Sequence, residues 1–154
     1  MKIYRISKSI KYYHGSSNPL PIKTILSPKN GNFMDTLNDD SHIKLEQFKP
    51  NNYLSRNNAV YMTDNPDDID NAGGSTEFIY IVQPLGKIEK HDLNWMSEID
   101  LIISEAIENN QQEDDETIEK VKNAAINYWN GTPHYNESVW EYLTPSAIII
   151  KEIL

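Results

Sequence analysis

The chain has no cysteine, so disulfide scaffolds, thiolate metal sites and cysteine nucleophiles are excluded. Arginine is nearly missing too: Arg5 and Arg56 are the only two among 14 basic residues. Against these stand 23 acidic residues, for a formal net charge of −9. That balance speaks against a broad basic groove for nucleic acid, and the shortage of guanidinium groups against a phosphate clamp. No apolar run comes near the roughly 20 residues of a membrane-spanning helix. The opening MKIYRISKSIKYYHG lacks the apolar stretch of a signal peptide. G-x-G-x-x-G does not occur, and Gly73-Gly74 reads as a plain turn. His42, His91 and His134 are widely separated and show no H-x-x-x-H spacing, so no metal site is expected. These exclusions leave a cytoplasmic protein without a membrane partner. Its 154 residues suffice for one domain, spanning 1–154, to bury a core without a staple.

What is present divides into short strands and two longer helices. Lys2–Ile6, Ile10–His14, Lys23–Leu26, Ala59–Met62 and Glu77–Gln83 are β-branched or aromatic runs bounded by turn formers. The C-terminal stretch from Ser138 to Leu154 predicts two strands with a turn at Pro145, and Ile148–Ile150 suggests burial on both faces. Apolar residues at Trp95/Met96, Ile99, Ile102/Ile103 and Ala106/Ile107 trace one helical stripe, with Ser97 and Asp100 as a capping box. Ile118, Val121, Ala124/Ala125 and Tyr128/Trp129 trace a second, stopped by Gly131 and Pro133. Asn65-Pro66 followed by two aspartates predicts a short third helix. The stretch from Ser27 to Asn58 reads as a long loop, and the acidic run from Glu108 to Glu116 as an exposed connection. The fold class is α+β.

Three segments end a strand in turn residues: Tyr12-Tyr13-His14-Gly15-Ser16-Ser17, Val60-Tyr61-Met62-Thr63-Asp64 and Val139-Trp140-Glu141-Tyr142-Leu143-Thr144-Pro145. Singly, each has a bland explanation: a histidine closing a strand, a core tyrosine, an exposed strand carboxylate. In order, they resemble the signature of the ADP-ribosyltransferase superfamily of the diphtheria-toxin and poly-ADP-ribosyl-polymerase type, with His, Tyr and Glu on separate strands. EFIYIVQPLGKIEKHD is similar to a strand and bend of rifampicin ADP-ribosyltransferases, and WEYLTPSAIIIKEIL to the Glu-x-Leu-x-Pro strand and closing hairpin of many members. The stretch from Trp95 to Asn127 matches none of these motifs.

The resemblance implies split antiparallel sheets with a few helices, an NAD-binding cleft between them, and NAD consumed as substrate without a metal. It implies catalytic roles for His14, Tyr61 and Glu141. Glu141 would stabilise positive charge on the ribose and draw the acceptor's proton. His14 would orient the other ribose, and Tyr61 would stack on nicotinamide. Gly15 would pair its bare backbone with the nicotinamide amide. Ser16, Ser17, Thr63 and Tyr53 complete the expected NAD contacts, with Phe48 a further ring candidate from the long loop.

Val139 stands where arginine-directed transferases carry Glu or Gln, which argues against an arginine acceptor. Glu137 is the competing carboxylate. RNA 2′-phosphotransferases share the fold but need basic residues that are scarce here. His134 and Tyr135 lie near the third motif as candidates for the acceptor side, and Trp140 as a side chain that dries the site. The expected activity is transfer of ADP-ribose to an unidentified acceptor, a protein or nucleic acid ahead of a small molecule. NAD glycohydrolase activity and a catalytically silent binding module are the alternatives. Small size suits a phage effector, or a toxin with an antitoxin or inhibitor protein as partner.

Overall fold

A computed structural model describes residues 10–28, 40–72 and 74–153. They form two antiparallel sheets and three α-helices. The strands are β1 (Tyr12–Ser16), β2 (Ile25–Leu26), β3 (Val60–Met62), β4 (Phe78–Leu85), β5 (Glu89–Asp92), β6 (Trp140–Thr144) and β7 (Ser146–Glu152). One sheet has the order β1-β4-β7-β2 and the other β3-β6-β5. The helices are α1 (Asp40–Gln47), α2 (Asn94–Glu108) and α3 (Asp115–Trp129). Among the described residues no helix is long and apolar enough to cross a membrane.

Two cores account for the layering. Alternate residues of β3 and β6, Val60, Met62 and Tyr142, face Tyr80, Val82, Ala147, Ile149 and Leu26 of the four-stranded sheet. The second core joins the helices: Leu45 from α1, Trp95 and Ile99 from α2, and Val121, Ala125, Tyr128 and Trp129 from α3. The opposite faces of β5 and β6 meet this helical layer, where the His91 ring stacks on Tyr128 at 4.6 Å between centroids. The three-stranded sheet is thus a middle layer with an apolar face and a polar one. β6 and β7 form the expected pair around Pro145.

Where the structure differs from expectation, local cause is visible. The long loop contains α1, whose DSHIKLEQ has Leu45 as its one buried apolar side chain and so no stripe to read. β5 (EKHD) lacks strand-forming residues and is extended because it pairs with β6, His91 opposite Glu141. The helix expected at Pro66 is a single 3₁₀ turn, Pro66–Asp68, capped by Asn65 as anticipated. Of Lys23–Leu26 only Ile25–Leu26 is strand, since Lys23 takes φ 73°. β1 starts two residues later than expected and runs to Ser16, and β4 continues to Leu85. Lys2–Ile6 lies outside the described residues.

Ser97 and Asp100 fall inside α2, whose first amide, Asn94 N–H, donates to Asp92 Oδ1 at 3.0 Å. The run Ile148–Ile150 is not buried on both faces: Ile149 is enclosed, but Ile150 is 48 % exposed, because the helices cover the other sheet. α3 stops where the pattern puts it. Gly131 takes φ 71° and Thr132 N–H returns to Asn127 O at 3.1 Å, a left-handed helix end that suits glycine.

Candidate functional site

The three motif strands come together at one seam. Tyr13 and Thr63 exchange backbone hydrogen bonds at 2.8 and 2.9 Å, tying β1 of one sheet to the end of β3 in the other. β3 pairs with β6 in the register Tyr61↔Leu143 and Met62↔Tyr142, which brings the β6 residue before Tyr142 beside that seam. A narrow cleft opens there, lined by His14, Gly15, Tyr61, Thr63, Ile69 and Glu141 among others, with a cavity volume of about 20 Å³. That is room for about one water molecule, so a nucleoside-sized group enters only if the walls part.

His14 is buried, and its Nδ1 lies 2.8 Å from Tyr61 O. A carbonyl only accepts, so Nδ1 carries the hydrogen and Nε2 is left as an acceptor. Burial pushes this imidazole below its ordinary value, the bond to Tyr61 O opposing only in part, which keeps it neutral at neutral pH. Tyr61 donates its hydroxyl to Arg56 O, and the Arg56 guanidinium sits 5.2 Å from its ring centroid. Burial raises the Tyr61 phenol, with Arg56 opposing and Glu46 adding, so the hydroxyl stays a donor.

Glu141 is 1 % exposed. Its Oε2 accepts from Arg56 Nη1 and, at 2.6 Å, from the Tyr128 hydroxyl. Burial, the largest influence, drives the Tyr128 phenol far up, so it remains a proton donor to the carboxylate. Gly15 has a structural reason of its own: a Cβ there would lie 2.0 Å from Ser75 O and 2.6 Å from Ile69 Cγ2. The bare backbone lets the chain before β4 pass close beneath the cleft.

Other expected contacts lie elsewhere. Ser16 turns its Oγ to Asn18 O at 2.7 Å, and neither it nor Ser17 lines the cleft. Thr63 lines it but donates Oγ1 to Asn65 O at 2.9 Å. Tyr53 and Phe48 pack on the helical core, Tyr53 with its ring 6.0 Å from Trp129. Glu137 is exposed in the loop before β6, and Trp140 turns to the far face beneath Lys90 Nζ, 4.3 Å from the ring centroid. His134 and Tyr135 stack on each other and share Glu98 of α2.

Two residues of the site were not singled out from the sequence, Arg56 and Tyr128. Arg56 lies 85 positions before Glu141 in a polar stretch, and Tyr128 resembles a helix-stripe aromatic. The one available signal was chemical: one of only two arginines in a chain whose other basic residues are lysine. No protein-family model matches the chain, and a search of curated proteins returns no match.

Proposed function

We propose that this protein is an NAD-dependent ADP-ribosyltransferase that cleaves the nicotinamide–ribose bond and transfers ADP-ribose to a macromolecular acceptor. The observation that carries the reading is the meeting of His14, Tyr61 and Glu141, from three separated motifs, on one cleft. NAD brings the labile bond itself, a glycosidic linkage to a cationic pyridinium whose electron pair leaves with neutral nicotinamide.

The chain's own residues supply the rest. Glu141 Oε1, with no hydrogen-bond partner among the described residues, offers a fixed negative charge where positive charge develops on the sugar. Enclosure strengthens that attraction relative to water. His14 Nε2 accepts from a ribose hydroxyl and orients it, acting as neither nucleophile nor acid. Tyr61 gives an aromatic face to the pyridinium, and the Gly15 backbone gives its amide end polar partners. The acceptor's lone pair forms the new bond to the sugar carbon, and its proton passes to Glu141 or to water.

Incubation with NAD in a bacterial extract, followed by nicotinamide quantification and a mass-spectrometric search for ADP-ribosylated species, tests the reading. Wild-type protein releases nicotinamide and labels a macromolecule, and Glu141→Gln slows release by roughly a hundredfold or more. Free ADP-ribose with no labelled species would reassign the protein as an NAD glycohydrolase. Absence of both release and NAD binding would leave a silent module.

A further inference from the structure

We infer that Arg56 is a positioning residue that presents one oxygen of Glu141 to the cleft, an assignment that rests on the reading of Glu141 as the carboxylate of NAD cleavage. Arg56 opens a three-residue 3₁₀ turn, Arg56–Asn58, a place where arginine is ordinarily solvated, yet it is 4 % exposed. Its backbone is held at both ends by side chains of other elements. The N–H donates to Glu46 Oε1 of α1 at 2.6 Å, and the carbonyl accepts from the Tyr61 hydroxyl. Its guanidinium is held as firmly: Nε donates to His42 Nδ1 at 3.3 Å and Nη1 to the Tyr128 hydroxyl oxygen at 2.7 Å. Nη1 also reaches Glu141 Oε2.

The distribution of donors on Glu141 separates a positioning role from a structural one. A pair built only to be stable would use the arginine fork on both carboxylate oxygens. Here Arg56 and Tyr128 both converge on Oε2, and Oε1 is left without a partner among the described residues while the side chain lines the cleft. Stability alone gives little reason to keep such a pair, since buried ion pairs are often replaceable by apolar residues without loss. Arg56 and Tyr128 therefore fix the carboxylate's rotamer and balance its charge, so that the other oxygen meets substrate already aimed.

The test compares NAD turnover and NAD affinity for wild type, Glu141→Gln, Arg56→Gln, Arg56→Lys and Tyr128→Phe. Arg56→Gln is expected to lower kcat by roughly 50-fold with KM within about threefold, the pattern of an interaction that counts only in the transition state. Arg56→Lys restores part of that rate, and Tyr128→Phe loses about fivefold. An Arg56→Gln protein with wild-type kcat, or with its loss confined to KM, overturns the assignment. Should Arg56→Gln fail to fold, Tyr128→Phe decides, because it deletes one hydroxyl: an unchanged kcat overturns the assignment. Wild-type protein inert toward NAD, or a fully active Glu141→Gln, instead defeats the parent reading. With wild type active and Glu141→Gln dead, a negative result counts against Arg56 alone.

Discussion

The two faces of the three-stranded sheet meet different surroundings. Toward the four-stranded sheet, β3 and β6 present Val60, Met62 and Tyr142 to an apolar core. Toward the helices, the intervening residues present Tyr61 and Glu141, met by Arg56 and Tyr128, and β5 adds His91, whose ring stacks on Tyr128. Strand alternation alone produces the contrast, since successive side chains point to opposite faces. One strand can thereby anchor the fold and arm a site without either task disturbing the other. The polar face carries the larger burial cost, a carboxylate with a guanidinium, and satisfies it by convergent donors.

The sharpest way to break the contrast is to make both faces apolar. Arg56→Met with Glu141→Leu and Tyr128→Phe, leaving no orphaned hydroxyl or charge, is expected to abolish the proposed NAD cleavage. Folding stability is expected to stay level or rise by about 1–4 kcal/mol in chemical denaturation. A large loss of stability instead would mean that the polar cluster holds the fold together. The complementary change is Val60→Ala, on the same strand as Tyr61 but on the apolar face and away from the cleft. It is expected to cost about 1–3 kcal/mol of stability through the cavity it leaves, with kcat per folded molecule retained. A collapse of kcat at unchanged stability would show that the faces are not independent.

The smallest effect is titration. Burial holds both His14 and His91 below the ordinary 6.5, with hydrogen bonds to Tyr61 O, and to Glu89 and Tyr128 O, opposing in part. As the pH falls through 6.5 the unfolded chain binds more protons than the folded one, so stability declines from that point downward. Glu89 behaves differently. Its burial acts to raise it, but bonds from Lys87, His91 and Leu54 N–H together hold it below 4.5, so its contribution is lost only in stronger acid. Denaturation midpoints measured across this range should flatten in part just below pH 6.5 when His14 is replaced by Gln, the share of His91 remaining, and not near pH 4. An unaltered slope would remove His14 from the account.

How far the site could be read in advance follows from which information is local. His14, Tyr61 and Glu141 each end or interrupt a short alternating run bounded by turn residues, and that pattern survives in β1, β3 and β6. Arg56 and Tyr128 owe their roles to contacts across 85 and 13 positions, which no neighbouring residue encodes. β5 shows the same limit, because EKHD is a strand only by virtue of its partner. α1 escapes for the opposite reason, having too little apolar surface to betray a period. Tyr53 and Phe48 were drawn to the cleft by their aromaticity, whereas the helical layer had the greater demand for rings.

The paired amides of Tyr13 and Thr63 join the sheets beside the cleft that imidazole and carboxylate both line. On the proposed reading, seam and reaction centre share an address. Any motion wide enough to admit a bulky acceptor between the layers must loosen that rivet, and in doing so pulls apart the groups that would act on it.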